Sequence, residues 1–207
     1  MLDDLQKDAL KEYMNQFMGQ AASLLSDMVN KRVNLTIPNV QIIDYKKGTR
    51  GFDIIPNFLH SYVVSSSISF GQKFSGEAKL IFSRDKIKTL VMLCLGEEHP
   101  NELHELTDAD FDAIREIGNI ILNAIVGSIG NLVEVRLDYS LPEVNVFFFP
   151  EDMERIIVKN DVYLLVIRNM FTVEQTDIEG AIVVILSMEA INELIEKIDE
   201  VLVDIYG

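Results

Sequence analysis

Three polar side chains recur in one helical row. In "DAIREIGN", residues 112–119, Asp112, Glu116 and Asn119 stand at relative positions 0, 4 and 7; in "DALKEYMN", residues 8–15, Asp8, Glu12 and Asn15 repeat the spacing. A helix turns about 100° per residue, so the glutamate lies at about +40° and the asparagine at about −20° from the aspartate. Each trio therefore forms a stripe of two carboxylates and a carboxamide. Gly19 falls in the first stripe and Asn123 in the second. Lysine and arginine, the usual partners at such spacing, are scarce on this face.

Several chemistries can be set against that stripe. Two carboxylates at i,i+4 can share a divalent cation, but one helical turn supplies only two or three oxygens where such ions take six or more. A general acid–base pair needs a nucleophile or second base at fixed spacing, and no Ser/His/Asp or Cys/His set accompanies either trio. No phosphate-cradling glycine loop is present. A carboxamide, however, can orient a water. Phosphoryl hydrolysis asks a protein mainly to place the attacking water in line and to stabilise charge. An asparagine lacking its own metal and cation must be inserted into a site that already holds them, which points to a protein substrate. A purely solvated helix face stays open beside that reading, although asparagine is a mediocre helix former that such a face need not keep twice.

The elements that carry the stripes follow from periodicity. Residues 4–30 and 107–132 have apolar residues three and four apart and are expected to be helices. Leu10, Tyr13, Met14 and Phe17 back the first stripe, and Ile114, Ile117 and Ile121 back the second. Thr107 is the expected N-cap, with Asp110 in the third helical place as an acidic variant of the capping box. Residues 32–43, 61–71, 76–83, 133–149, 161–171 and 178–187 are rich in β-branched and aromatic residues and are expected to be strands. Residues 84–95 and 188–204 read as amphipathic helices. Gly19 and Gly118 are expected to thin the helix surface and admit a partner's backbone. Met14, in the place of Gly118, is expected to crowd the first site.

The whole chain repeats once. A shift of 104 residues takes Asp8 onto Asp112, Pro38 onto Pro142, Val40 onto Val144, Gly76 onto Gly180, Ser83 onto Ser187 and Leu90 onto Leu194, without a gap. A single domain made of two repeats, 1–103 and 104–207, is expected, and units this small should share one core. Short connections favour antiparallel strands. The fold class is α/β of the α+β kind, a largely antiparallel sheet flanked by helices with pseudo-two-fold symmetry.

Composition narrows the setting. Among 207 residues, 48% are hydrophobic and 25% charged, with a formal net charge of −15. That balance suits a packed core and argues against nucleic acid or an anionic membrane surface as partner. The single cysteine, Cys94, lies in an apolar helical pattern and is expected in the core. His60, His99 and His104 lack zinc spacing. The start, "MLDDLQKDAL", has no signal-peptide pattern and the apolar runs are short for a bilayer, so a cytoplasmic location is expected.

The pattern Asp-x3-Glu-x2-Asn-x22-Pro, met at Asp8, Glu12, Asn15 and Pro38 and again at Asp112, Glu116, Asn119 and Pro142, resembles the CheC/CheX/FliY family of chemotaxis phosphatases. "EIGN" at 116–119 is the family's commonest form, and two sites in about 200 residues are most similar to CheC. The resemblance implies a protein aspartyl-phosphate phosphatase acting on phosphorylated CheY-like response regulators. Asn15 and Asn119 would orient the hydrolytic water, Glu12 and Glu116 would dock on the regulator's lysine, and Asp8 and Asp112 would support the face. Pro38 and Pro142 would be structural, at an edge strand or bulge. No cofactor or metal of its own is implied: Mg²⁺ belongs to the partner. The alternative is a non-catalytic adaptor binding the receptor deamidase CheD or a response regulator. The second site is expected to be the stronger, because Tyr13 and Met14 depart from the common form at Ile117 and Gly118.

Overall fold

Helix starts in this chain are written by reciprocal caps. The computed structural model describes residues 2–44, 62–71, 74–96, 106–148, 163–173 and 176–206. Helix α1, Asp4–Val29, begins where the Asp3 carboxylate accepts from Gln6 N and the Gln6 side chain accepts from Asp3 N. Helix α3, Asp108–Leu132, begins at the expected box: Asp110 N donates to Thr107 Oγ1 at 3.3 Å and Thr107 N donates to the Asp110 carboxylate at 2.6 Å. Each box satisfies two amide groups that a helix end leaves orphaned. Helix α2 is Arg84–Leu95 and helix α4 is Met188–Tyr206.

Six strands complete the described elements: β1 Val33–Asp44, β2 Tyr62–Gly71, β3 Ser75–Ser83, β4 Glu143–Phe148, β5 Tyr163–Val173 and β6 Thr176–Leu186. They form one sheet in the order β1-β5-β6-β3-β2-β4, with every neighbouring pair antiparallel. The class is the one expected. Read from either edge, the order runs through equivalent elements of the two halves. The 104-residue offset also carries Asp44, the last residue of β1, onto Phe148, the last of β4. Each half gives its first strand to the other: β1 lies beside β5, and β4 beside β2.

Alternation along the strands sorts side chains between two faces. Leu35, Ile37, Val64, Ile68, Leu165, Ile167 and Ile182 join Leu10, Met14, Met18, Ile114, Ile117, Ile121 and Ile125 in one apolar cluster drawn from both halves. Ile43, Val63, Ile81, Leu164, Val166 and Val183 form a second cluster on the opposite face. Helix α1 packs on β1, α3 packs on β2, and the two helices pack on each other. Helix α3 is long and apolar enough by composition to span a bilayer, but its isoleucines are spent on this core. Cys94 sits at the core's margin, half-buried, where burial pushes its thiol up to about 12. The three histidines lie outside the described residues.

One strand expectation fails in an informative way. Residues 32–43 give a twelve-residue β1, but of 133–149 only Glu143–Phe148 is a described strand. The chain before it is held by scattered contacts: Gly71 N donates to Asp138 O, Ser140 N donates to Ser69 O, and Tyr139 bridges Phe70. Leu141 is 86% exposed where its counterpart Ile37 is 2% exposed. A strand pattern cannot settle pairing, because pairing depends on what lies alongside.

Candidate functional site

The two stripes ride on helices whose backs are fixed by burial. Leu10, Met14 and Met18 anchor α1; Ile114, Ile117 and Ile121 anchor α3. Asp8, Glu12, Asp112 and Glu116 are exposed, while Asn15 and Asn119 are half-buried. Met14 is fully buried, so it does not crowd the first stripe as expected. The 3.6-residue period turns it inward beside Leu10 and Met18. Gly118 also departs from expectation. It is buried, and a Cβ there would lie 2.0 Å from Ser66 Oγ, so this glycine lets α3 settle on β2 rather than opening the surface. Gly19 does open the surface, with nothing within 4 Å of such a Cβ.

The stripes are less bare of cations than their composition suggests. Lys11 Nζ donates to the Asp8 carboxylate at 2.8 Å, and Arg115 donates to Asp112. The Asp8 contact raises the Lys11 ammonium above its usual range. These i,i+3 pairs are solvent-exposed and screened, so they contribute little to stability. Their consequence is local: in each stripe the aspartate is occupied within its own helix. Among the described residues Glu12 and Glu116 make no side-chain hydrogen bond and keep their carboxylates outward.

The two carboxamides differ. Asn15 Oδ1 accepts from Ile37 N at 2.9 Å, and its Nδ2 donates to Ile37 O at 3.3 Å. Both ends of the amide are thus spent on one residue of β1. That residue sits at an irregularity: Thr36 pairs with Met170 and Asn39 with Arg168, so Ile37 and Pro38 together face Asn169. This is a bulge on an edge strand, where a proline without an N–H is tolerated. Asn15 satisfies the backbone groups that the bulge takes out of the ladder. Pro38 thus lies in a bulge of one edge strand, and Pro142 directly precedes the opposite edge strand.

Asn119 has no such latch. Its Oδ1 accepts from Asn123 Nδ2 at 3.0 Å, and its own Nδ2 has no hydrogen bond among the described residues. The first stripe thus does not simply face water, since its amide is folded back against β1. The second projects its amide beside the exposed Glu116, one turn earlier.

Sequence reasoning missed several features around the stripes. Ile37 acts through backbone atoms, which carry no sequence signal. Ser66, buried beneath Gly118, leaves its hydroxyl without a partner among the described residues, as Asn169 does its carboxamide. A cleft of about 350 Å³ between α1 and α4 is lined by Asp8, Glu12, Tyr13, Val201 and Leu202 among others. Burial there raises the Tyr13 hydroxyl above its ordinary range. Among the described residues no three His, Cys, Asp or Glu side chains converge as a metal site would require.

Comparison with known proteins now bears on this geometry. The CheC-like family matches residues 5–42, the stretch holding Asp8, Glu12, Asn15 and Pro38. The flagellar motor switch phosphatase FliY of Bacillus subtilis (strain 168) is 23% identical over 164 residues, which is 79% of this chain and 42% of that protein. Over these residues the chain is similar to the CheC/CheX/FliY family. It spans about two-fifths of the length of this curated relative. The crystal structure of FliY from Thermotoga maritima shares the fold, with a TM-score of 0.73, 20% identity and coverage of 97% of this chain and 98% of that one. FliM in the FliG–FliM complex from H. pylori also shares it, with a TM-score of 0.65, 11% identity and coverage of 94% and 100%. The fold is thus shared with FliY and with FliM, the latter crystallised in a FliG–FliM complex.

Proposed function

We propose that this chain is a cytoplasmic phosphatase for the aspartyl phosphate of a CheY-like response regulator, with α3 as its principal catalytic element. The observation that carries the reading is Asn119: a half-exposed carboxamide with an unengaged amino group, one turn from the exposed Glu116. Docking would bring both into a receiver site that already holds the phosphorylated aspartate, Mg²⁺ and a lysine. Glu116 faces that lysine and sets the register. Asn119 holds a water in line with the phosphorus. The water oxygen bonds to phosphorus as the bond to the aspartyl oxygen breaks. The partner's carboxylate leaves with the electron pair, and the water's proton passes to the phosphate or solvent. The chain supplies orientation, which converts chance encounter into a fixed approach.

Glu12 and Asn15 form a second, weaker site in this reading. To reach a water, Asn15 must leave both Ile37 backbone atoms, each bond being worth about 0.5–1.5 kcal/mol. That penalty lowers the rate through α1 by roughly 10- to 100-fold relative to an unlatched amide. Asp8 and Asp112 support the face through their helix pairs. The adaptor reading, with CheD or a regulator bound and little turnover, draws its support from the same latch and from the FliM relative crystallised with FliG.

The test adds the purified protein to phosphorylated receiver domains with Mg²⁺ and follows phosphate release. Asn119→Ala is expected to lower the accelerated rate about 100-fold, and Asn15→Ala less than about threefold. A parental rate from Asn119→Ala rules out its water-orienting role. Tight binding without acceleration by the parent protein selects the adaptor.

A further inference from the structure

We infer that Asn123 is a positioning residue that sets the orientation of the Asn119 carboxamide. The inference rests on the phosphatase reading and deepens it. Asn123 lies one turn beyond Asn119 on α3, is itself exposed, and donates from Nδ2 to Asn119 Oδ1 at 3.0 Å. A half-exposed asparagine samples several rotamers, and the amide plane of a side chain turns broadly about its last torsion. The bond from Asn123 removes that freedom. It takes one of the two lone pairs on Asn119 Oδ1, leaving the other to accept from the attacking water, and it fixes which way the unengaged amino group points.

The first stripe shows that orientation can be supplied differently. The place of Asn123 is taken there by Gly19, with open space around it. Asn15 is held instead by the two backbone atoms of Ile37, which consume both ends of its amide. The two asparagines are both held, one by a backbone that leaves nothing spare and one by a side chain that leaves a lone pair and two N–H groups. In this inference Asn123 acts through Asn119 rather than on the substrate, so its effect belongs in turnover rather than binding.

Two measurements test this on the full chain. In the free protein, three-bond couplings across the Asn119 side chain should report one rotamer in the parent and averaging in Asn123→Ala. In steady-state dephosphorylation of a phosphorylated receiver with Mg²⁺, Asn123→Ala should lower kcat about tenfold and leave KM within about twofold. Asn123→Gln keeps an N–H donor and should hold kcat within about threefold of the parent, while Asn123→Asp, which has none, should fall with the alanine variant. Equal averaging of Asn119 in parent and Asn123→Ala overturns the inference without any substrate. So does a parental kcat from Asn123→Ala while Asn119→Ala is inactive, an outcome that leaves the phosphatase reading standing. A parental rate from Asn119→Ala overturns both.

Discussion

Asn15 and Asn119 occupy equivalent places on two helices of 26 and 25 residues, each opened by a capping box and each backed by buried aliphatic side chains. Their surroundings have diverged. Beside α1, β1 runs unbroken for twelve residues and presents the Ile37 bulge to Asn15. Beside α3, the corresponding chain forms a regular strand only from Glu143, and Leu141 turns out to solvent. The neighbouring strand, not the motif, thus decides whether both ends of the carboxamide are tied to backbone or its amino group is left unengaged. The same residue spacing can thus leave a carboxamide with different partners, because the backbone beside it competes with water for its hydrogen bonds.

The largest expected test of that contrast lies in the strands. Ile37→Ala removes a buried side chain from the main cluster and should cost about 2–4 kcal/mol in urea unfolding, whereas Leu141→Ala should stay within about 0.5 kcal/mol. Equal costs would mean that the two strands are equally packed, and the contrast would be lost. Next in size is the latch. Asn15→Ala strands the Ile37 N–H and C=O in a buried bulge and should cost about 2 kcal/mol of stability, while Asn119→Ala should cost less than about 0.5 kcal/mol. Together with the phosphatase assay this predicts a crossover: one asparagine matters to folding, the other to turnover.

The smallest effects separate the glycines. Gly118→Ala drives a methyl into Ser66 and should destabilise by about 1–2 kcal/mol after the helix gains from alanine. Ser66→Gly in the same chain should make the double variant more stable than the sum of the single changes, since the clash is shared. Gly19→Ala meets open space and should stabilise by about 0.5–1 kcal/mol. Stabilisation by Gly118→Ala would show that α3 does not lie on β2 as closely as its buried glycine indicates.

Much of the scaffold was legible because it rests on local rules. The helix over 84–95 and the capping box at Thr107 follow from periodicity and from side chains three residues apart. The strands at 62–71 and 75–83 follow from β-branched runs. The proline at 38 could be read as an edge or bulge residue because it lacks a donor. Gly118 and Met14 were misread for one reason. The acid–amide spacing locates the centre of the stripe, but not how close to its margins the sheet comes, and both residues lie on the buried side of that margin.

From the sequence alone came the two acid–acid–amide rows, their helices, the family they resemble and the antiparallel class, all of them consequences of residue spacing and local propensity. Only the tertiary structure decided which asparagine keeps an unengaged amino group. Hydrogen bonds to Ile37 and from Asn123 depend on where a strand backbone and a neighbouring rotamer come to rest, and those positions are set by the packing of residues far apart in the chain.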